Sequence, residues 1–141
     1  MKLREFNLGK KIRSFNGKLI VDQPLECFVA KEFPTAMPDL SFGSLCRVPQ
    51  MEWHIFIEQT FTVTDPGGNI LFEKHSNESP RMTPGSSAPW FDVVLSSGDS
   101  IELKEPGQYQ AKVVVKGAPD FEEQVMTRSF VVELVPDEPA T

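Results

Sequence analysis

The chain has 141 residues, with 14 Lys+Arg against 20 Asp+Glu for a net charge of −6, and 40% of its residues are hydrophobic. A single hydrophobic core forms at this length without help from metals or disulfides, and no second full domain fits. Nine Gly and twelve Pro scattered without a period exclude a collagen-like chain, and eleven Phe supply a packed core rather than disorder.

Residues 1–18 hold six bases (Lys2, Arg4, Lys10, Lys11, Arg13 and Lys18) against one acid, Glu5, a local balance of +5 that leaves −11 on the remaining 123 residues. An acidic body repels nucleic acid at long range, so no nucleic-acid partner is expected. The basic segment is read as charge on an exposed strand edge that blocks edge-to-edge pairing. A grip on phosphate is the alternative, with only Phe6 and Phe15 as an aromatic platform. The N-terminus lacks a continuous apolar signal region and no apolar run is long enough to cross a bilayer, so a cytoplasmic protein without a membrane partner is expected.

Asn16-Gly17 supplies the φ > 0 pair of a type I′ turn and predicts a hairpin between IRSF and KLIV. Strands are expected next at LECFVA (25–30) and LSFGSLCRV (40–48), flanking a connection through Phe33-Pro34 and Met37-Pro38. Each holds one cysteine. Cys27 and Cys46 are read as reduced, buried and inert, with a bridge across the connection as the alternative.

The clearest alternation runs over 51–64, where Trp53, Ile55, Ile57, Phe61 and Val63 fall on one face and Glu52, His54, Glu58, Thr60, Thr62 and Thr64 on the other. Phe56 and Gln59 break it. A straight strand of that length would span about 45 Å, so a bend or bulge is expected near Gln59. Asp65-Pro66-Gly67-Gly68-Asn69 then makes a wider hairpin into ILFEKH. Folded symmetrically, it sets His75 opposite a residue near Gln59 and leaves His54 about 16 Å away, so the two imidazoles do not meet. With two His and two Cys and no CxxC, HxH or HExxH spacing, neither a metal nor a cofactor is expected.

The one long connection is SNESPRMTPGSSAP (76–89), and a loop of that length in a compact domain is either functional or mobile. Arg81 and Met82 within it, with Trp90 at the start of the next strand, are the candidate interaction residues; the competing reading makes Trp90 core. WFDVVLSS, SIELKE and QYQAKVVVKG follow as strands, separated by Ser97-Gly98-Asp99 and Pro106-Gly107. Gly117-Ala118-Pro119-Asp120 precedes a last strand near 124–135, with Met126, Phe130, Val132 and Leu134 on one face. Residues 136–141 are expected to form a flexible acidic tail beyond a single 1–135 domain. Tyr109, opening its strand after Pro106-Gly107, is read as structural, its hydroxyl pinning a corner between sheets.

Eight or nine short strands with no 3.6-residue period describe an all-β antiparallel sandwich, with a closed barrel as the alternative. The succession Asn16-Gly17-Lys18-Leu19, Phe33-Pro34, Asp65-Pro66-Gly67-Gly68-Asn69 and Pro106-Gly107-Gln108-Tyr109 resembles a family of small, functionally uncharacterised bacterial proteins. The resemblance spans roughly residues 2–135. It implies an immunoglobulin-like β-sandwich in a bacterial cytosol and carries over no catalytic residues.

Neither a G-x-S-x-G elbow nor a phosphate-loop pattern is present, and Ser86 and Ser87 sit in a loop without the support an activated nucleophile needs. Carboxylate runs such as Glu122-Glu123 mark solvated turns. The expectation is a non-enzymatic module that presents loops or a sheet edge to a protein partner, with a homodimer through a sheet edge as a further possibility. The alternatives are an inhibitor of a protease or phage function, and a small-ligand or carbohydrate-binding module in which exposed Phe56 stacks on the ligand.

Overall fold

The computed structural model describes residues 1–15, 17–52, 55–79, 90–118 and 122–136. Strands dominate them: β1 (Lys2–Phe15), β2 (Lys18–Pro24), β3 (Cys27–Ala30), β4 (Thr35–Met37), β5 (Ser41–Arg47), β6 (Phe56–Thr64), β7 (Ile70–Glu78), β8 (Trp90–Ser96), β9 (Ile101–Leu103), β10 (Gly107–Ala118) and β11 (Gln124–Leu134). The only helical element among the described residues is a 3-10 turn at Gln50–Glu52.

Two larger sheets form, of order β2-β1-β5-β8 and β3-β11-β10-β6-β7, with β4 and β9 pairing as a small third. The larger two face each other. Phe6 on β1 and Phe42 on β5 meet Phe61 on β6 at ring-centroid distances of 6.2 and 6.3 Å, and Phe42 stacks on Phe72 of β7 at 5.1 Å. The alternation that named these strands works here as physics: Ile57, Phe61 and Val63 on β6, and Tyr109, Ala111, Val113 and Val115 on β10, all point into the shared core. Side chains also tie the layers along one side, where Arg128 Nε donates to the Phe6 carbonyl (3.0 Å) and the Leu3 amide donates to Gln124 Oε1 (2.7 Å).

The structure corrects several expectations. Eleven strands are described rather than eight or nine, and the one not placed from the pattern is β4, three residues within the connection through Phe33-Pro34 and Met37-Pro38 and too short to show a period. Pairing is not antiparallel throughout, since β3 runs parallel to β11, with Cys27 opposite Val131. No bulge occurs near Gln59: the pairing of β6 with β7 is unbroken from Ile57 to Val63, and its register shifts between Val63 and Thr64. A strand starting at Phe56, after the Gln50–Glu52 turn, removes the excess length that called for a bend. Gln59 stays on the buried face at 1% exposure, where its Oε1 accepts the Ser44 hydroxyl from the opposite sheet. Leu134 shares the inward parity of Phe130 and Val132 but lies beyond the core's end, exposed.

Both predicted hairpins form. Phe15 pairs with Lys18 across a two-residue turn whose Gly17 has φ +73°, and Asn16 lies outside the described residues. At the second, the Asp65 amide donates to the Asn69 carbonyl (3.0 Å) and Asp65 Oδ1 accepts the Asn69 amide (2.8 Å). The bonds the carboxylate accepts from Asn69, first from its backbone amide and then from its side-chain amide (3.1 Å to Oδ2), hold the Asp65 carboxyl below its ordinary range.

Tyr109 is fully buried, stacks on Phe130 at 5.5 Å and donates its hydroxyl to the Glu105 carbonyl at 2.6 Å. Burial is the main force pushing its phenol pKa up. Tyr109→Phe is expected to lower unfolding free energy by about 1 kcal/mol, the net worth of one such bond, with an unchanged fold. An unaltered urea midpoint would mean that the bond contributes nothing to the corner.

Candidate functional site

β1 does more than line the core. Its first half pairs with β5 from Lys2 to Gly9, and its second half pairs with β2. On a straight strand Ser14, the partner of Leu19, would stand about 30 Å from Glu5. Instead Glu5 Oε2 accepts the Leu19 amide at 3.1 Å, so the hairpin is folded back over the outer face of its own sheet. A Cβ placed on Gly43 would lie 2.8 Å from Ile12 Cγ2 and 3.5 Å from Leu19 Cδ1, which shows how closely the hairpin lies on β5. Ile12 and Leu45 are buried yet sit outside the main core cluster, on this second contact layer. The tip reaches the far strand: a Cβ on Gly17 would lie 2.5 Å from the Trp90 indole.

This arrangement sorts the hairpin's side chains. Ile12, Leu19 and Val21 turn towards the sheet, while the cross-strand pairs Lys11–Asp22, Arg13–Ile20 and Phe15–Lys18 turn to solvent. Three cations therefore share an exposed face with Phe15 at 64% and Ile20 at 37% exposure, around a shallow depression lined by Lys11, Arg13, Ile20, Val21 and Asp22. The basic segment is expected to guard an edge, but of its six bases only Lys18 lies on the end strand β2, the other five standing on β1 between β2 and β5. The group that occupies an edge amide is an acid, Glu5, on the strand beneath, and this leaves the bases on the face.

An open groove of about 670 Å³ lies beside the fold-back, lined by Lys10, Gln23, Pro24, Leu25, Cys27, Pro38 and Asp39. Gln23 adopts φ +51°, uncommon for a residue with a side chain. Asp39 is committed elsewhere: its Oδ1 accepts the hydroxyls of Ser96 (2.5 Å) and Ser97 (2.9 Å), which hold its carboxyl below the ordinary range. It fastens the chain ahead of β5 to the turn between β8 and β9.

The other candidates fall as follows. Trp90 is half-buried against Gly17, placed in the second contact layer rather than the main core. Phe56 is 48% exposed and pairs with no other aromatic ring among the described residues. His75 is exposed, its ring between Thr60 Oγ1 (3.0 Å) and Glu73 Oε1 (2.9 Å). Arg81, Met82, Trp53, His54, Ser86, Ser87 and residues 137–141 of the tail lie outside the described residues. Residues 76–78 of the expected loop belong to β7. Among the described residues no cluster of three or more His, Cys, Asp or Glu is placed to hold a metal, and no helix is long and apolar enough to cross a membrane.

Both cysteines are free thiols, and only Cys46 is buried. The expected burial of Cys27 is corrected: it sits on a strand at the end of its sheet, on the outward parity shared with exposed Val29. Burial pushes the Cys46 thiol up to about 12. Iodoacetamide at neutral pH is therefore expected to alkylate Cys27 in the native protein and to reach Cys46 only after denaturation. Equal rates at both positions in the native state would contradict the placement of Cys46 between the sheets.

Sequence reasoning noted the charge excess of residues 1–18 but missed the face. The turn position already paired Phe15 with Lys18 and thus Arg13 with Ile20; the fold-back that turns those pairs outward had no local signal. No protein-family model matches the chain, and no curated protein matches it either.

Proposed function

We propose that the protein is a non-enzymatic interaction module on an immunoglobulin-like sandwich, and that its contact surface is the outward face of the β1–β2 hairpin. The fold reading is supported by the order β11-β10-β6-β7, which corresponds to the G-F-C-C′ side of variable-type immunoglobulin domains, and by β3 lying beside β11. The order β1-β5-β8 corresponds to strands A, B and E, and Tyr109 stands near the start of the strand equivalent to F. In that frame the second half of β1 and all of β2 are an elaboration that the sandwich does not require.

The observation that carries the functional reading is the composition of this added face. Lys11, Arg13 and Lys18 are exposed beside two large apolar side chains, Phe15 and Ile20, which a purely structural hairpin gains nothing by leaving in water. Rigid backing on β5 holds the face in one shape, so binding sacrifices little conformational freedom. Placing a photo-reactive amino acid at Phe15 tests the reading in cells. A discrete protein adduct is expected, and it should disappear when Arg13→Glu and Lys18→Glu are combined. Absence of any adduct, or an adduct indifferent to the charge reversal, would remove this face as the contact surface.

A further inference from the structure

The register of the hairpin narrows the chemistry of the partner, an inference that rests on the contact surface proposed above. Along β1, Lys11, Arg13 and Phe15 occupy alternate positions, and along β2 their opposite neighbours are Asp22, Ile20 and Lys18. Alternate side chains on a strand are spaced about 6.6–6.8 Å apart. The face is thus a ladder of three rungs: a cation beside an anion, a cation beside an aliphatic, and an aromatic beside a cation. All six side chains are exposed.

We propose that this ladder binds an extended acidic segment of another protein, running along β1 with acidic side chains two residues apart over Lys11 and Arg13 and an apolar side chain two residues further, over Phe15. An extended peptide repeats its side chains on one face at the spacing of the strand beneath it, so the three contacts fall in register without distortion. A helix returns to one face about every 5.4 Å, so over three rungs it drifts about 2–3 Å out of step with the ladder. Charge complementarity sets the sign, because the cations of this face are among the excess bases of residues 1–18. Asp22 sets a limit: a nucleic acid with an unbroken row of phosphates would bring one towards this carboxylate and the rest towards a body carrying −11. A peptide brings a single carboxylate to the Lys11 side of that rung and no row of anions to the body beyond it. Arg13 supplies a planar fork suited to a carboxylate, and the apolar contact at Phe15 adds a preference that charge alone lacks.

The test uses the full-length protein and fluorescently labelled peptides of one composition in two arrangements, read by anisotropy at low ionic strength. One repeats Glu-Ser-Glu-Ser-Leu-Ser; the other repeats Glu-Glu-Ser-Ser-Leu-Ser. The alternating peptide is expected to bind several-fold more tightly than the permuted one and to weaken about tenfold or more with Arg13→Glu plus Lys18→Glu. Phe15→Ser should reduce the preference for the alternating form while leaving salt-sensitive binding in place. Because these side chains are exposed, circular dichroism of the variants is expected to match the parent, and Arg47→Glu, at an exposed position on β5, controls for loss of positive charge in general. Equal affinity for the two peptides, or binding unaffected by charge reversal at the hairpin, would overturn the proposal. Tighter binding of a single-stranded oligonucleotide or of phosphatidylserine vesicles would overturn it in favour of those ligands. If the photo-reactive hairpin captures a protein while neither peptide binds, the contact surface stands and the acidic extended segment falls; if neither experiment gives a signal, both fall.

Discussion

Replacing Phe61 with alanine is expected to destabilise the protein by about 3–5 kcal/mol, the range for removing a buried aromatic ring. The ring is completely buried and touches one ring on each of two neighbouring strands of the opposite sheet, Phe6 on β1 and Phe42 on β5. Its removal opens a cavity at the centre of the interface between the layers, where neither sheet can collapse without disturbing its own backbone pairing. Set against a typical domain stability of about 5–15 kcal/mol, that loss is a large fraction of the total. Phe15→Ala is the comparison, since truncating a 64% exposed ring should leave the unfolding free energy within about 0.5 kcal/mol of the parent. A Phe61→Ala loss below about 1 kcal/mol would mean that the sheets are not joined through this ring.

The second large effect is expected at Gly17, where alanine should cost about 2–5 kcal/mol from two separable sources. At φ +73° a side chain is strained by about 1–2 kcal/mol. The added carbon would also sit 2.5 Å from Trp90, displacing either the indole or the hairpin tip, and overpacking of that kind costs about 1–3 kcal/mol. Gly68 provides the internal control: its φ is +86°, but a Cβ there meets nothing within 4 Å, so Gly68→Ala carries the backbone strain alone. The difference between the two variants measures the contact of the tip with Trp90. Identical losses would place the indole away from the tip, and the fold-back would then have to rest on Ile12, Leu19 and the Glu5 hydrogen bond.

How much of this was legible follows from the range of each signal. The period-2 pattern marked β6, β10 and β11 because alternate residues there face one core, and turn residues marked both hairpins because a positive φ demands Gly or Asn. Gln59 read as a break in a hydrophobic face; its answer is Ser44, on the other sheet, and no local pattern joins those two positions. Cys27-Phe28-Val29-Ala30 is apolar throughout, so sequence could not say which parity faces outward, and Cys27 was placed inside. The cationic face was half legible. Its rungs follow from the position of the Asn16-Gly17 turn, whereas their exposure depends on Glu5 reaching Leu19 and on Gly43 offering a flat seat, both contacts between residues far apart in the chain.

The pairing of β3 with β11 reaches beyond stability into the timing of assembly. Cys27 finds its neighbour at Val131, near the far end of the chain, and the first strand is tied across to Gln124 and Arg128. Contacts of such long sequence separation close late and slowly, because most of the intervening chain must already be ordered before they form. A polypeptide growing from its N-terminus can bring Phe6 and Phe42 against Phe61 and Phe72 once β6 and β7 are made, but leaves β3 without its strand partner until β11 has been synthesised. Closing that edge of the sandwich waits for β11 rather than for any local step.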